Sequence, residues 1–503
     1  MAHSFRVIVV GGGVAGLAAS HILSKAGIEH VVLERRATVA PQEGASIAIY
    51  PNGSRILHQV GALEAVQKHC VPPGKYWLRM PDSTIIGNNN VFRYLEENHG
   101  SGLLLIERRQ FLQELYDTLP DKTRVRTSCA VRDVRAQASG VEVTLENGEV
   151  EKGDLVLGCD GVYSTVRTFM WDQANKISPG LITAREKRGA SVPEKWTPFS
   201  SPISLLSISF PFADKEVFLC FTPAIRADWK SLIVMTTDIP ELGTRDLTIV
   251  HNDNYSHMFT MTPQYGYFFV FFRLDEPCIW PHRPRYTDQD AQDLANKIAS
   301  HPVSETMVFG EVWKHRIRAS VVNLEEGVLD HWYNGRIALA GDAVHKVTPN
   351  MAFGGNSSIE SVAVLANHLR RMLQDSQGVR PNGAAIEKAL AAYQSERIDR
   401  MMEIFKFSSE ITKSQAWANK WYKFLALWVV PFLPKRTFGD LISGIISRGP
   451  KLDFVEVGAG FPSGRMPFIN DEHLVAKEIQ PNGVVRNLLA FMSRLGWIAG
   501  FMA

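Results

Sequence analysis

Cysteine is scarce: five residues in 503, Cys70, Cys129, Cys159, Cys220 and Cys278, scattered without CxxC spacing. That excludes a disulfide framework and a cysteine-built metal site, and it suits reduced core thiols in an intracellular, cytosolic setting. Neither charge is in excess, since 54 Lys and Arg against 52 Asp and Glu leave a formal net charge of +2. With no basic stripe and no nucleic-acid motif, nucleic acid is not an expected partner. No uninterrupted apolar run reaches the roughly 18–20 residues of a clear membrane-spanning helix. The N-terminal apolar run carries glycines and no small-residue cleavage pattern, which excludes a secretory signal peptide. What remains is an ordinary globular composition, 45% hydrophobic and 21% charged. Its length allows roughly two to four domains with large cores.

Against these absences stands the first stretch of the chain. Arg6-Val7-Ile8-Val9-Val10 is an apolar, β-branched run; Gly11-Gly12-Gly13 follows, and then Val14-Ala15-Gly16-Leu17-Ala18-Ala19 in helical idiom. This predicts strand, tight turn and helix. Gly11 permits the turn, Gly13 admits the backbone to a pyrophosphate, and Gly16 lets helix and strand pack closely. The helix N-terminus adds free N–H donors and partial positive charge for phosphates. Glu34 closes a second apolar run, Val31-Val32-Leu33, about 20 residues on, where an acid accepts hydrogen bonds from ribose hydroxyls. All four parts in register predict a dinucleotide site. The acid argues against a 2′-phosphate there, so NADP is not the ligand of this turn.

Further along, Gly44 to Gly53 is a small-residue loop containing Ala48, ending in Pro51-Asn52-Gly53, with a helix predicted over 54–66. Leu103–Ile106 reads as a buried strand leading into a helix that opens on Glu107-Arg108-Arg109. Two arginines at such a junction suit phosphate neutralisation, or equally a solvated helix start. Asn147-Gly148 marks a hairpin turn. The run Asp154–Gly158 is a second buried strand, entering the turn Cys159-Asp160-Gly161, with Ser164 placed to cap a helix. Between Ile177 and Arg318, aromatic strand-like runs at 204–210, 217–221 and 267–272 alternate with proline-containing loops. This predicts an inserted, mostly antiparallel sheet, one face of which would wall a lipophilic substrate. Arg336–His345 returns to the parallel-strand idiom, and Gly354-Gly355-Asn356 opens another helix, a second anion-stabilising terminus. A long amphipathic helix is expected over 384–417. The segments 421–434 and 484–503 are apolar with aromatic and basic flanks, which favours an interfacial membrane role over docking on the protein's own core or on a second copy.

Taken together, Gly11-x-Gly13-x-x-Gly16 with Glu34, Gly158-Cys159-Asp160-Gly161, and Gly341-Asp342 with Pro349 and Gly354-Gly355-Asn356 resemble the FAD-dependent single-component, aromatic-hydroxylase-type monooxygenases. Within that family the chain is most similar to fungal enzymes of meroterpenoid and indole-diterpene pathways, which epoxidise a prenyl olefin. The resemblance covers about residues 5 to 400. It implies an α/β fold: a Rossmann-like FAD-binding domain (1–176 and 319–405), an inserted sheet domain for substrate (177–318) and a helical, apolar tail (406–503). It implies FAD contacts at Gly11, Gly13, Gly16, Glu34, Ala48, Arg108, Asp160, Asp342 and Gly355, with NADPH as co-substrate and O2 as oxidant. No metal is expected. Ala352 and Ala48 stand where glycine is usual, so backbone geometry there is expected to differ. No catalytic acid or base can be matched; Tyr255, Tyr265 and Tyr267 are candidates. An olefin needs no deprotonation, which fits the missing base. The expected activity is therefore epoxidation of a prenylated lipophilic intermediate, with phenol hydroxylation and flavin-dependent prenyl-lipid reduction as alternatives. The expected location is a membrane surface on the cytosolic side, with a soluble cytosolic protein as the runner-up.

Overall fold

The run Arg6–Val10 forms a central strand of a six-stranded sheet in the computed structural model, which describes residues 5–183, 186–187, 225–280, 282–458 and 460–471. The strand order is Tyr333–Asn334, Ile337–Leu339, Leu155–Gly158, Arg6–Val10, Glu29–Leu33, Val125–Arg126, all parallel except the first. Continuous β-branched runs buried on both faces are what such a sheet requires. The register places Val10 beside both Leu33 and Gly158, and Gly158 beside Leu339. Gly11, Glu34, Cys159 and Ala340 therefore leave the sheet at one common edge, the carboxyl end where α/β sheets bind their ligands. The helices Val14–Ala26 and Phe353–Asp375 pack together, and the long helix Gly383–Gln415 lies along the second. The last matches the helix expected at 384–417 almost residue for residue.

The second sheet has eight strands, ordered His345–Lys346, Arg316–Val328, Ile225–Thr237, Tyr265–Ile279, Tyr255–Met261, Leu247–Asn252, Tyr76–Arg79, Ile85–Asn89. Every pairing is antiparallel except that of Leu247–Asn252 with Tyr76–Arg79. The sheet thus recruits a hairpin from the N-terminal part of the chain and a long strand running past residue 318. The expected strands at 204–210 and 217–221, Cys220 and the stretch 484–503 lie outside the described residues. The helix expected at 54–66 is two helices, Pro51–Val60 and Leu63–Gln67. Gly61 separates them, with φ of +82°, a conformation that ends a helix. The Asn147-Gly148 hairpin forms as expected, between Gly140–Leu145 and Val150–Gly153. The described cysteines, Cys70, Cys129, Cys159 and Cys278, are all free.

The tail differs from a loose interfacial appendage. Helix Thr437–Ile446 packs on helix Val91–His99, and residues 449–458 and 460–471 wrap the Pro51–Val60 helix. The buried Arg55 donates to Asp471 at 2.8 Å, to the Gly449 carbonyl at 2.7 Å and to Asn470 at 2.9 Å. A buried guanidinium demands that many acceptors, so the wrap is part of the core. Among the described residues no helix is long and apolar enough to cross a membrane.

Candidate functional site

The glycine turn is built by close packing. Gly11 adopts φ of +103°, and a Cβ there would sit 2.5 Å from the Cys159 carbonyl oxygen. A Cβ on Gly16 would fall 1.8 Å from the Gly11 carbonyl. Gly13 is the opposite case: a Cβ would meet nothing within 4 Å, and the residue faces a large cavity between the two sheets. Glu34 buttresses the turn, accepting from the Gly12 N–H at 2.6 Å and the Arg36 N–H at 2.8 Å.

Strand Ser46–Ile49 pairs antiparallel with Leu104–Glu107, setting Ala48 opposite Leu105. The Arg108 N–H bonds to the Ala45 carbonyl at 2.9 Å. That short ladder brings two stretches of sequence, each ambiguous alone, into one cavity wall. Arg108 makes no side-chain hydrogen bond among the described residues, and burial holds its pKa below the ordinary arginine value, with Asp342 and Glu43 partly offsetting. Its neighbour Arg109 pairs with Glu107 at 3.6 Å and does not line the cavity. Asp342 faces the cavity and pairs with the Lys346 ammonium. Burial opposes that charge, but the Asp342 carboxylate outweighs it and holds Lys346 above its ordinary pKa. Lys346 carried no signal in the sequence reading beyond its place four residues after Asp342.

Gly13, Ala48, Arg108, Asp342 and Gly355 line this cavity; Gly11, Gly16, Glu34 and Asp160 stand behind it. The Asp160 carboxylate accepts from Ser164 Oγ at 2.5 Å and from the N–H groups of Thr165 and Val166 at 2.7 and 3.1 Å. It caps the helix Thr165–Ile177, while the adjacent Cys159 and Gly161 reach the cavity. Asn356 is fully buried: its oxygen accepts from the Tyr50 N–H at 2.9 Å, and its nitrogen donates to the carbonyls of Ala48 at 2.9 Å and Ala352 at 2.8 Å. It ties the small-residue loop to the start of helix Phe353–Asp375. Ala352 precedes that helix with φ of +53°, the left-handed region where glycine is unstrained and an alanine is not.

The remaining lining is mostly aromatic and aliphatic. Of the three tyrosine candidates only Tyr267 lines the cavity. Tyr255 sits in a separate core, hydrogen-bonded to His301 and stacked on Phe272, and Tyr265 opens its strand packed against the small cluster of Ala45, Met235 and Tyr267. Tyr50 and Tyr76, which the sequence did not single out, line it as well. Burial pushes the hydroxyls of Tyr50, Tyr76 and Tyr267 above the ordinary tyrosine pKa. His345 is turned into the core, bonded to Ser361 at 2.7 Å and pushed down to about 3 by burial and the Arg397 charge. Among the described residues no histidine or glutamate lines the cavity. They include no cluster that would hold a metal ion.

The FAD binding domain family matches residues 4–171 and 233–408, more than half of the chain. The chain is 37% identical over 456 residues to the FAD-dependent monooxygenase DEP2 of Fusarium langsethiae, covering 90% of this chain and 80% of the relative. The protein belongs to the FAD-dependent monooxygenases. Another relative, the FAD-dependent monooxygenase ptmM of Penicillium ochrochloron, is 35% identical over 412 residues, 82% of this chain and 89% of its own length. The fold is similar to that of Klebsiella pneumoniae HpxO crystallised with FAD and uric acid, with a TM-score of 0.67 and 17% identity over 90% of this chain and 98% of that one. FAD is the cofactor of this monooxygenase. The site suits an elongated dinucleotide: open backbone at Gly13, an Arg108 guanidinium with no hydrogen-bond partner among the described residues, and two helix N-termini.

Proposed function

We propose that this monooxygenase uses NADPH and O2 to epoxidise an olefin of a prenylated, lipophilic intermediate in terpenoid or meroterpenoid secondary metabolism. One observation carries the reading: a cavity walled by aromatic and aliphatic side chains, with no histidine or glutamate among its described lining. Its one carboxylate, Asp342, is paired with Lys346. Phenol hydroxylation needs a group to take the phenolic proton, and the cavity tyrosines are held protonated by burial. Epoxidation needs no such base. Bound FAD would pass two electrons from NADPH to O2, one oxygen atom of which goes to the olefin while the other leaves as water.

The chain's own residues hold and shield that chemistry. Glu34, behind the turn, is assigned to the adenosine ribose. Gly13 admits the pyrophosphate, in a turn whose shape Gly11 and Gly16 hold. Arg108 and Asp342 are assigned to the pyrophosphate and ribityl chain. Ala48 and Gly355, which line the cavity, are assigned to the flavin, and the N–H groups opening helix Phe353–Asp375 would stabilise negative charge on it. Asp160 acts indirectly, by fixing the turn that carries Cys159 and Gly161 to the cavity. Phe259, Phe269 and Tyr267 exclude water. The division proposed falls at residues 177, 319 and 406, with the substrate sheet also drawing on 76–89, 319–328 and 345–346. A membrane surface is proposed as a further partner, because Phe424, Trp428, Val430 and Phe432 are exposed within nine residues and Lys420 and Lys435 flank them.

Incubating the holoenzyme with a polyprenyl phenol or a prenylated indole and NADPH should give a product heavier by one oxygen, with the olefinic proton signals replaced by those of an oxirane. Products oxygenated only on the aromatic ring would overturn the reading.

A further inference from the structure

Helix Thr437–Ile446 lies beyond residue 408, where the family domain ends, yet it forms part of the cavity wall. Phe438 and Ile442 are four residues apart and so share one helical face, which is the face lining the cavity. Gly439 and Ser443, one position on, face helix Val91–His99 instead. Gly439 lies against Tyr94, where a Cβ would approach the Tyr94 Cβ to 2.9 Å. Ser443 Oγ accepts from Asn98 at 2.8 Å. A polar clamp fixes this rotation: Asp440 accepts from Asn98 at 3.0 Å and from Arg465 at 2.6 Å, and Arg436 donates to Glu97 at 2.6 Å. The helix is held in one register by groups outside the cavity.

The wall so formed is continuous with aromatic residues from elsewhere. The Tyr76 ring lies 6.0 Å from that of Phe438 and 6.3 Å from that of Phe92, centroid to centroid. Leu95 completes it from the same helix as Phe92. Nearby, Gln415 donates to the Tyr76 hydroxyl at 3.3 Å, which leaves that hydroxyl its own hydrogen, and the Asn98–Asp440 pair is satisfied. Apart from the Tyr76 O–H, the side chains of this wall are hydrocarbon, and such a surface gains chiefly by covering hydrocarbon.

We infer that Phe438 and Ile442 of the tail helix, with Tyr76, Phe92 and Leu95, form a subsite for the hydrocarbon chain of the substrate and set the chain length accepted. The inference rests on the prenylated-substrate reading. Affinity rises with each chain unit that covers this wall and stops rising when the chain meets Ile442. Phe438 and Ile442 are supplied by a segment outside the shared family domain, so their part in length selection is separable from the FAD site.

The test uses full-length holoenzyme and a ladder of phenols bearing one, two, three or four isoprene units, with binding read from the perturbation of the flavin spectrum. Wild-type enzyme is expected to bind more tightly up to a limiting length. Ile442→Trp should weaken the longest ligands by about tenfold or more while leaving the shortest within about twofold. Phe438→Ala, which creates space instead of filling it, should move the optimum to a longer chain, so the inference does not hang on one variant. Flavin content equal to wild type certifies the fold of each. An unchanged length profile in both variants, or equal weakening of every ligand, would overturn the subsite. Failure of wild type to bind any member would instead overturn the prenylated-substrate reading and the inference with it, and the wild-type titration alone distinguishes that case.

Discussion

Asp342 stands at the point where the first sheet meets the cavity, and its substitution separates a binding role from a packing role. Asp342→Ala removes a charge-assisted acceptor and leaves the Lys346 ammonium without its partner. Loss of one such bond corresponds to about tenfold or more in FAD affinity, read as flavin content after gel filtration. Retention of wild-type flavin occupancy would remove Asp342 from the ribityl contact. Glu326 makes a different prediction because it lies outside the cavity. Its side chain is buried, one oxygen accepting from Ser409 at 3.3 Å and the other without a partner. Burial pushes its pKa up to about 7, Asp228 adding to the rise while Lys413, Ser409 and Arg226 oppose it. A folded pKa above the unfolded one means the native state holds a proton that the unfolded chain releases. The stabilisation is complete below about pH 4.5 and is lost as pH rises through 7, by roughly 3 kcal/mol at the most. Glu326→Gln should therefore raise the urea midpoint relative to wild type at pH 8 and leave it nearly unchanged at pH 5. Equal effects at both pH values would contradict the argument. The two residues also mark what the sequence could reveal: Asp342 follows a glycine at a strand end and announces itself locally, whereas nothing local distinguishes Glu326 from a solvated strand glutamate.

At the scale of elements, helix Phe353–Asp375 joins the site to the rest of the fold through Glu360. This carboxylate is fully buried and bonds to Arg397 at 2.8 Å, Arg400 at 2.7 Å and Asn52 at 2.6 Å. Burial alone would raise its pKa, but the two guanidinium groups prevail and hold it at about 2, so the pairing persists until strongly acid pH. Glu360→Ala leaves two arginines buried without a counter-charge and should cost about 3–5 kcal/mol, a marked drop in Tm by differential scanning calorimetry. A Tm within a degree or so of wild type would refute it. The same elements explain what the sequence revealed. Strand, glycine turn, helix and acid are fixed by neighbours in the chain, so the dinucleotide half, the Asn147-Gly148 hairpin and the helix near 384–417 were legible. Tyr76 is brought to the cavity by a strand that pairs in parallel with Leu247–Asn252, some 170 residues away. No periodicity in one segment encodes a partner chosen at that distance. Phe438 and Ile442 were hidden for the same reason: an apolar helix face looks alike whether it meets a membrane, a core or a ligand.

For the whole molecule, the tail holds two physically different parts. Residues 437–458 and 460–471 are built into the body, since Arg55 depends on Gly449, Asn470 and Asp471, and Gln59 exchanges hydrogen bonds with Leu452. Residues 424–432 instead present Trp428 at 66% and Phe432 at 78% exposure, with only Leu425 and Ala426 of that helix buried. Deleting everything from 421 onward confounds the two. It strips the acceptors from a buried guanidinium and opens the cavity wall, so the product should be misfolded and lack flavin, whatever membranes do. The informative variant replaces Phe424, Trp428 and Phe432 together with serine. These side chains stand clear of the cavity and of the Arg55 wrap, so FAD content and Tm should match wild type. If the patch rests on a bilayer, removing three large apolar side chains from the interface should lower the fraction that floats with anionic vesicles by about tenfold or more. Unchanged flotation, with wild-type protein binding the vesicles, would move the membrane contact away from this patch. Absence of wild-type binding would leave the exposed aromatics without a membrane role.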